Sequence, residues 1–399
     1  MPRPTPFHSR TSLSCESQSW LDWSGFLSAN SYELEHVHEY SAVRTACAVF
    51  DISPLYKYRV HGPGAAALLD RVLTRDVRRL SVGQVSYTTW CDDEGKIIDD
   101  GTVTCLAPEH YRLTAAIPTL DWLQDNQLGV DAEIEDVSEA LAALSLQGPT
   151  SRAVLQRLAD AELSGLRYFR QLETKLAGIP VGISRTGYTG DLGFELFVDP
   201  GWAERLWDEL LEAGRAFNLR PAGNVAQDML RIEAGLLLID VDFVSSSRTL
   251  FDVQKSTPLE LGLGFTIAFD KEWFVGCAAL RRERERGPAC VTVGLVVDVV
   301  ALEQVYAGFG MPLHLPQRSW NDAVPIYADG ERRETVGRAT SGTWSPILKS
   351  YIAIARVSPR FGRPGGRVFL EETVEARRFA VPAQVVELPF FDPPRKRAR

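Results

Sequence analysis

The sequence has no long hydrophobic run, and this absence excludes several classes of protein. No window approaches the roughly eighteen consecutive apolar residues that a membrane span requires. The N-terminal segment MPRPTPFHSRTSLSCESQSW also lacks the apolar centre of a signal peptide. We therefore expect a cytoplasmic protein that does not act on a membrane. The formal net charge of −9 argues in addition against a nucleic acid as the partner.

Metal-binding and disulfide patterns are also missing. The chain has six cysteines, but they are scattered and form no C-x-x-C pair, a distribution typical of reduced thiols. His36 and His38 are near neighbours in sequence, yet residues two apart on a helix point to different faces. The sequence therefore predicts no metal site.

A dinucleotide-binding fingerprint is absent as well, because no G-x-G-x-x-G follows a strand-like run. Helical periodicity appears instead at Gly64–Val72, Glu139–Leu144, Arg152–Leu158 and Trp202–Phe217. Short alternating runs such as QVSYTTW, AALSLQG and FELFV lie between these segments. This mixture predicts an α+β fold of mainly antiparallel sheets with flanking helices.

The composition changes at the charged run RRERERG, Arg281–Gly287. Beyond it, almost every periodic segment is strand-like and is bounded by Gly, Pro and Asp turns, which predicts a separate small β barrel or sandwich over residues 288–388. The basic segment 389–399, in which two consecutive prolines precede RKRAR, predicts a solvated tail.

The segment Ser184–Leu196, SRTGYTGDLGFEL, combines a glycine-rich turn with a strand. Gly187, Gly190 and Gly193 allow positive φ angles or a close approach of the backbone to a ligand. Glu195 places an acid on one face of an otherwise apolar strand, where a carboxylate is costly without donors. A pterin, whose N–H and amino groups donate in parallel, is one natural partner for this acid. An arginine or a backbone N–H is the alternative.

The run GKIIDDG places Asp99 and Asp100 inside a strand, where aspartate is disfavoured. Neighbouring strand residues point to opposite faces, so one carboxylate should face inward while the other faces solvent or caps a neighbouring loop. An inward carboxylate is a candidate for proton transfer or for stabilising a developing cation. The alternative is a strand-edge or bulge pair whose carboxylates are satisfied by backbone donors.

Arg231 lies among apolar residues in GNVAQDMLRIEAGLLL, on a predicted helix that ends near Gly235. A guanidinium in such surroundings needs a carboxylate partner. The local sequence favours a structural ion pair with Glu233 or Asp228 over the binding of an anionic ligand tail.

Seven segments of the chain, taken in order, resemble the aminomethyltransferase family, which comprises the T-protein of the glycine cleavage system and its tetrahydrofolate-dependent demethylase relatives. They are AVRTACAVFDIS, GKIIDDG, SLQGP, RTGYTGDLGFEL, LRIEAGLLL, WFVGCAAL and GRATSGTWSPILKSYIAIARV. The resemblance implies a three-subdomain cloverleaf around a central folate channel. Residues 1–285 would form the folate-binding region of two intertwined α+β subdomains, followed by a C-terminal β-barrel domain.

The resemblance also implies an activity and the residues that carry it. The activity is a transfer of a methylene or methyl unit from a small-molecule donor, or from a lipoyl carrier protein, to tetrahydrofolate. Asp100 matches the family's catalytic carboxylate, and Glu195 matches the acid that grips the pterin ring. Tyr188, Arg231 and Tyr87 match positions that line the ligand.

Two departures from the family pattern concern the donor side. T-proteins usually carry a Ser-His-Met run where this chain has Ser53, Pro54 and Leu55. They also usually carry a Tyr-Gly pair followed by an acid, where this chain has Ile239–Phe243 and then the insert VSSSRTLFDVQKST. A folate-dependent demethylase of an N-, S- or O-methylated metabolite is therefore the alternative enzyme. A folate-binding assembly factor is the non-enzyme alternative, but the Lys-Gly-Cys-Tyr signature of those relatives is absent.

Overall fold

A computed structural model describes residues 1–398 of the chain. They form a small N-terminal hairpin, a six-stranded sheet, a five-stranded sheet and a closed six-stranded barrel. In chain order the helices are α1 His8–Ser14, α2 Val37–Thr45, α3 Ala65–Val72, α4 Leu120–Asp125, α5 Ser151–Leu158, α6 Ala203–Gly214, α7 Asn224–Glu233, α8 Cys277–Arg286 and α9 Val299–Ala307.

The strands of the first part of the chain supply the hairpin and the two open sheets. They are β1 Ser19–Trp23, β2 Phe26–Ser31, β3 Cys47–Asp51, β4 Tyr56–His61, β5 Val85–Cys91, β6 Ile97–Ala107, β7 His110–Ala115, β8 Glu133–Asp136, β9 Ala142–Gln147, β10 Gln171–Leu176, β11 Ile179–Ser184, β12 Gly193–Val198 and β13 Leu219–Pro221. The barrel strands are β14 Val291–Val297, β15 Val324–Tyr327, β16 Thr335–Ser345, β17 Ser350–Val357, β18 Arg367–Val374 and β19 Arg377–Val386.

The six-stranded sheet has the order β10-β11-β12-β9-β3-β13 and is antiparallel except where β13 joins β3. Alternate residues such as Leu144, Ile183 and Phe194 point to one face and pack in a common core with Leu155 of α5 and Leu206 of α6. Helices α5 and α6 therefore cover one face of this sheet. Helices α2 and α7 pack on the β3 part of the opposite face, and the β10 part of that face carries polar side chains.

The five-stranded sheet has the order β5-β6-β7-β4-β8 and is antiparallel throughout. Tyr58, Val103 and Leu113 belong to its apolar face and share a core with Leu68 and Leu69 of α3. Helices therefore cover one face of this sheet, and the alternate residues of its strands point to the opposite face.

The polar faces of the two sheets look towards each other. Arg112 on β7 reaches across, donating from Nη2 to Oε1 of Gln171 on β10 at 2.7 Å. Its guanidinium carbon lies 3.5 Å from the ring centroid of Phe197 on β12. A side chain that spans from one sheet to the other shows that the polar residues of both sheets border a shared interior.

The C-terminal domain is a barrel closed in the order β14-β17-β16-β15-β18-β19, with β19 pairing back to β14. Its interior is filled by branched and small apolar side chains such as Leu295, Ile326 and Val381. Outward-facing Ile352 and Ile354 pack with Ile232 of α7 and so join the barrel to the first part of the chain. The predicted α+β fold with a C-terminal β barrel is confirmed.

Of the four segments with helical periodicity, three are helices, as α3, α5 and α6, and the helix predicted to end near Gly235 is present as α7. The helix predicted at Glu139–Leu144 is wrong, because residues from Ala142 onward form β9. This strand lies between β12 and β3 and is buried on both faces, and the overlapping alternating run AALSLQG predicted it correctly. No helix in residues 1–398 combines the length and the apolar character that crossing a membrane requires.

The solvated tail is also a wrong prediction for the residues that the structure describes. Arg395 donates to both carboxylate oxygens of Asp191, at 2.7 and 2.8 Å, and Asp191 has a fully buried side chain. Arg185 donates to the carbonyl oxygen of Ala398 at 2.5 Å. The tail therefore folds back onto the first part of the chain, because buried groups there need its charges.

Candidate functional site

Asp99 and Asp100 occupy opposite faces of β6, as the strand alternation predicted. The Asp99 side chain is completely buried and accepts backbone N–H groups from Asp100, Ala116 and Ile117 at 2.8 to 2.9 Å. It therefore caps the loop that follows β7. Asp100 has no such backbone donors among residues 1–398, and its side chain points to the polar face of the sheet.

The Asp100 carboxylate accepts one hydrogen bond, from the Tyr87 hydroxyl to Oδ2 at 2.5 Å. Burial raises the pKa of Asp100 to about 6, although the Tyr87 hydrogen bond works in the opposite direction. The Tyr87 ring in turn stacks against Phe265, with ring centroids 6.2 Å apart, and Phe265 is 64% exposed. An acid with a pKa near neutrality thus lies beside an aromatic pair that reaches solvent.

Glu195 lies on the polar face of β12, paired across the strands with Ser184 and Ser145. Its Oε2 accepts the Thr186 hydroxyl at 2.5 Å, while Oε1 receives no hydrogen bond from residues 1–398. Burial raises the pKa of Glu195, and the Thr186 hydroxyl and the positive charge of Arg112 oppose that rise. The carboxylate therefore has acceptor capacity left for a ligand.

The glycines before Glu195 make room mainly for the protein itself. A Cβ on either Gly187 or Gly193 would lie 2.1 Å from the side chain of Gln147, which is fully buried. Gly190 is the member of the three with positive φ, at +74°, and a Cβ there would lie 2.6 Å from Ala234. The close approach predicted for a ligand is thus explained at these positions by packing against the chain's own residues.

Tyr188 belongs to the loop between β11 and β12 and donates its hydroxyl to the carbonyl oxygen of Leu237. Burial raises the pKa of Tyr188, while the Arg231 guanidinium lowers it and the Asp100 carboxylate raises it further. The pKa of Tyr87 is likewise raised, first by burial and then by Asp100, with a contribution from Tyr188. The structure therefore brings Tyr87, Asp100, Tyr188 and Arg231 into one neighbourhood.

Arg231 is fully buried, and each of its guanidinium nitrogens has a protein partner. Nε donates to Asp228 at 2.7 Å, Nη1 to Asp242 and to the Leu236 carbonyl at 3.2 Å, and Nη2 to Asn321 at 3.4 Å. The partner Asp228 was among those favoured by the local sequence, whereas Asp242 was not considered. The arrangement gives Arg231 a direct role in fixing the wall of the site.

Asp242 joins the barrel to Arg231 and the loop after α7. Besides Arg231, it accepts hydroxyl groups from Thr340 at 2.5 Å and Ser341 at 2.8 Å, both on barrel strand β16. It also accepts the backbone N–H of Leu238 at 2.9 Å. The segment Ile239–Phe243 therefore contributes a structural acid at the junction of the barrel and the first part of the chain.

Arg112 is the polar residue of this interior that was missed from the sequence. It faces Glu195 across the gap between the sheets, and burial lowers its pKa to about 10 while Glu173 and Glu195 oppose the fall. A signal was available, because in HYRLTA the residues Arg112 and Thr114 alternate with Tyr111 and Leu113. Period-two alternation places Arg112 on the polar face.

A second group of charges lies on the other side of the glycine-rich loop, and we call it the paired cluster: Arg44, Asp191, Glu233 and Arg395. Arg44 donates to Glu233 from two nitrogens at 2.6 and 2.9 Å and to Asp191 at 3.4 Å. Glu233 also accepts the hydroxyl groups of Tyr40 and Ser345. The family segment AVRTACAVFDIS contributes Arg44, so part of the sequence resemblance reflects this buried network.

One group of side chains has the spacing of metal ligands. Atoms of His61, Glu133 and Glu135 lie within 4.8 Å of one another. These side chains are partly or largely exposed, and Arg59 donates to Glu135 at 2.9 Å, so ordinary ion pairing accounts for the arrangement.

Comparison with known proteins agrees with the architecture. The GCVT N-terminal domain family matches residues 11–271, and the glycine cleavage T-protein C-terminal barrel domain family matches residues 311–392. A crystal structure of glycine cleavage system aminomethyltransferase T from Bartonella henselae superposes with a TM-score of 0.82, covering 98% of this chain and 99% of that one. Its sequence identity is 24%, so this likeness concerns the fold.

Sequence relatives extend over nearly the whole chain. The aminomethyltransferase of Halothermothrix orenii is 36% identical over 89% of this chain and 91% of its own length, and that of Streptomyces coelicolor is 37% identical over 95% and 94%. The trimethylamine-oxide aldolase of Ruegeria pomeroyi is 33% identical over 100% of this chain but only 48% of its own length. The chain therefore belongs to the aminomethyltransferase family, that of the glycine cleavage T-protein.

Proposed function

We propose that this transferase moves a one-carbon unit, as methylene or methyl, from a small donor to tetrahydrofolate. One observation carries the proposal: each of two facing polar sheet surfaces holds an under-satisfied acid. Glu195 on β12 has a free acceptor oxygen, and Asp100 on β6 has a pKa of about 6. Two acids in such surroundings are candidates for separate tasks, one for binding and one for proton transfer.

Glu195 fits the pterin ring of the folate. Oε1 is unoccupied by protein donors within residues 1–398, and Oε2 keeps a lone pair after accepting Thr186. A carboxylate with both oxygens available can accept the parallel donors of a pterin N–H and amino group, in the way that it accepts a bidentate arginine. Thr186 and the strand pairing fix the orientation of the carboxylate, so little rotational freedom is lost on binding.

Asp100 fits the role of proton acceptor or cation stabiliser. Tetrahydrofolate would supply the nucleophilic N5 amine. The Tyr87 hydroxyl holds Oδ2, which leaves Oδ1 of Asp100 to face the reacting atoms. A carboxylate whose pKa is about 6 is largely ionised at neutral pH, yet it is a stronger base than an ordinary aspartate. It can therefore take a proton from an amine or stabilise a neighbouring positive charge.

Tyr87, Tyr188 and Arg231 complete the proposed site in different ways. Tyr87 positions Asp100 and presents its ring together with Phe265, a surface suited to a flat ligand. Tyr188 lines the same neighbourhood from the glycine-rich loop. Arg231 is satisfied by its own carboxylates, so we assign it to holding Asp242 and the Leu236 carbonyl in place.

The donor side supports a free metabolite as strongly as a lipoyl carrier protein. The segment Ser53–Leu55, which replaces the usual Ser-His-Met run, is held by Lys57. The Lys57 Nζ donates to the carbonyl oxygens of Ser53 at 2.9 Å and Leu55 at 2.7 Å. A relative across the whole chain is a trimethylamine-oxide aldolase, which acts on a methylated amine derivative by its name. A folate-dependent demethylase of a small methylated compound is therefore the second candidate.

The direct test is to identify the folate product by mass. The purified protein would be incubated with tetrahydrofolate and, one at a time, methylated amines, sulfonium compounds, aryl methyl ethers and an aminomethyl-lipoyl carrier protein. We expect one class to convert tetrahydrofolate into its methylene or methyl derivative, and the Asp100→Asn protein to lose that conversion. Failure of the protein to bind tetrahydrofolate in calorimetry would contradict the proposal regardless of the donors tried.

A further inference from the structure

A cavity of about 150 Å³ lies between the two sheets on the far side of Arg112 from Asp100. Its lining includes Arg112, Glu173 and Phe197 and the apolar side chains of Leu106, Val137 and Leu141. Leu106 follows Asp100 by six positions on β6, which places the two roughly 20 Å apart at about 3.3 Å per strand residue. The cavity therefore lies away from Asp100, and it adjoins the Glu195 end of the interior, because Phe197 follows Glu195 by two positions on β12.

Two opposite charges face this cavity without forming an ion pair. Arg112 donates to Oε1 of Gln171 at 2.7 Å, and Nε2 of Gln171 donates to Oε1 of Glu173 at 2.8 Å. Gln171 thus acts as a spacer between the guanidinium and the carboxylate. Because the neutral amide of Gln171 lies between them, the guanidinium and the carboxylate do not pair directly. Both charged groups therefore keep unused hydrogen-bonding capacity.

Arg112 donates to Gln171 and lies over the Phe197 ring, but it forms no ion pair with a carboxylate in residues 1–398. The residue is 5% exposed, and its Nε atom is buried with no hydrogen-bond partner in residues 1–398. A buried guanidinium is costly unless it is paired and hydrogen-bonded. Partial burial raises the pKa of Glu173, which Arg112 and Gln171 oppose, but the residue is exposed, so its carboxylate is accessible to a ligand.

We propose that this cavity is a binding site for a small zwitterion of the amino acid type, with its carboxylate at Arg112 and its ammonium group at Glu173. The two protein charges supply the matching signs at separated positions. Leu106, Val137 and Leu141 supply an apolar wall for a short aliphatic body. A cavity of about 150 Å³ is large enough to bind benzene, so this one admits a ligand the size of glycine or alanine.

The test is a binding titration of the full chain in the absence of folate, so that its result does not depend on the proposed transferase activity. Glycine and alanine would be titrated by protein-observed NMR or calorimetry beside acetate, which has only the carboxylate, and methylamine, which has only the ammonium group. We expect millimolar or tighter binding of the zwitterions and at least tenfold weaker binding of acetate and methylamine.

Two variants assign the contacts, and a third serves as the control. Arg112→Gln and Glu173→Gln should each weaken glycine binding at least tenfold, and Glu173→Gln keeps an oxygen to accept from Gln171, which limits any disturbance of the fold. Arg215→Gln removes an exposed arginine far from the cavity and should leave binding unchanged. The proposal is overturned if no zwitterion binds at tens of millimolar, if acetate or methylamine binds as well as glycine, or if Glu173→Gln binds glycine like the unaltered protein.

Discussion

The paired cluster and the two acids Asp100 and Glu195 lie on opposite sides of the same glycine-rich loop, and they differ in how their charges are satisfied. Glu233 of the paired cluster receives two arginine hydrogen bonds and two hydroxyl groups. Asp100 and Glu195 each receive one hydroxyl group from the protein. Glu233 is fully buried, whereas Asp100 and Glu195 are half-buried, so the two acids keep an access to ligands that Glu233 lacks.

The difference separates structural acids from candidate functional ones. A buried carboxylate that is fully paired can hold elements together, as Glu233 does for α2, α7 and the barrel through Arg44, Tyr40 and Ser345. A half-buried carboxylate with one donor retains acceptor capacity and has a raised pKa, which suits it to a ligand or to a proton. The same contrast exists within one dipeptide, because Asp99 accepts three backbone donors whereas its neighbour Asp100 accepts none from the loop.

The largest effect is expected from removing the charge of Asp100. Asp100→Asn should lower turnover by about 100-fold to 10⁴-fold, the range typical of losing a general acid–base group, while folate affinity stays within about tenfold. The measurement is single-turnover kinetics beside a folate titration. Asp99→Asn is the matched comparison, since it should lower the melting temperature by replacing one of the two oxygens that together accept three backbone N–H groups with an NH2 donor. Normal turnover in Asp100→Asn would remove Asp100 from the mechanism.

In the paired cluster the expected effect falls on stability. Glu233→Ala leaves Arg44 buried without its closest carboxylate, so the free energy of unfolding should fall by about 3 to 5 kcal/mol. Chemical denaturation measures this change. Glu212→Ala, which removes a largely exposed partner of Arg215, is the control and should leave the unfolding curve almost unchanged. Equal stability of the two variants would contradict a structural role for the paired cluster.

Substitution of Glu195 should change the affinity for tetrahydrofolate and not the free energy of unfolding. Glu195→Gln replaces one acceptor oxygen with an amide that opposes the pterin donors, and tetrahydrofolate affinity should fall by about 2 to 4 kcal/mol. Calorimetry of the two proteins gives this difference. Thr186→Val, which removes only the hydroxyl that orients Glu195, should have a smaller effect in the same direction. Equal affinities of Glu195→Gln and the unaltered protein would refute the pterin assignment.

The sequence predicted those parts of the site that depend on strand alternation. It placed Asp99 and Asp100 on opposite faces and Glu195 on a polar face, because period two is fixed by the backbone. It did not predict that Gly187 and Gly193 clear the Gln147 side chain, since that contact joins segments about forty residues apart. Local sequence carries no signal for such non-local packing.

The same limit applies to the charged residues. Asp228 lies three positions from Arg231 on α7, so the helix period makes it a predictable partner. Asp242 lies eleven positions away, beyond the end of the helix, and reaches Arg231 only through the turn at Ile239–Phe243. Arg395 was assigned to solvent because its buried partner Asp191 is far away in sequence. Ion pairs between distant segments depend on tertiary structure and were missed for that reason.

The smallest expected effect, and the sharpest test of Asp100, is a shift in the pH profile. Asp100 must be ionised to accept a proton, so kcat/KM should rise with pH up to its pKa of about 6 and then level off. The Tyr87 hydroxyl stabilises the ionised carboxylate and lowers that pKa, so Tyr87→Phe should move the acidic limb to higher pH. Tyr188→Phe is the control, because its hydroxyl donates to the Leu237 carbonyl, and it should leave the limb in place. If the acidic limb of kcat/KM in Tyr87→Phe stayed fixed or moved to lower pH, a group other than Asp100 would control the pH dependence.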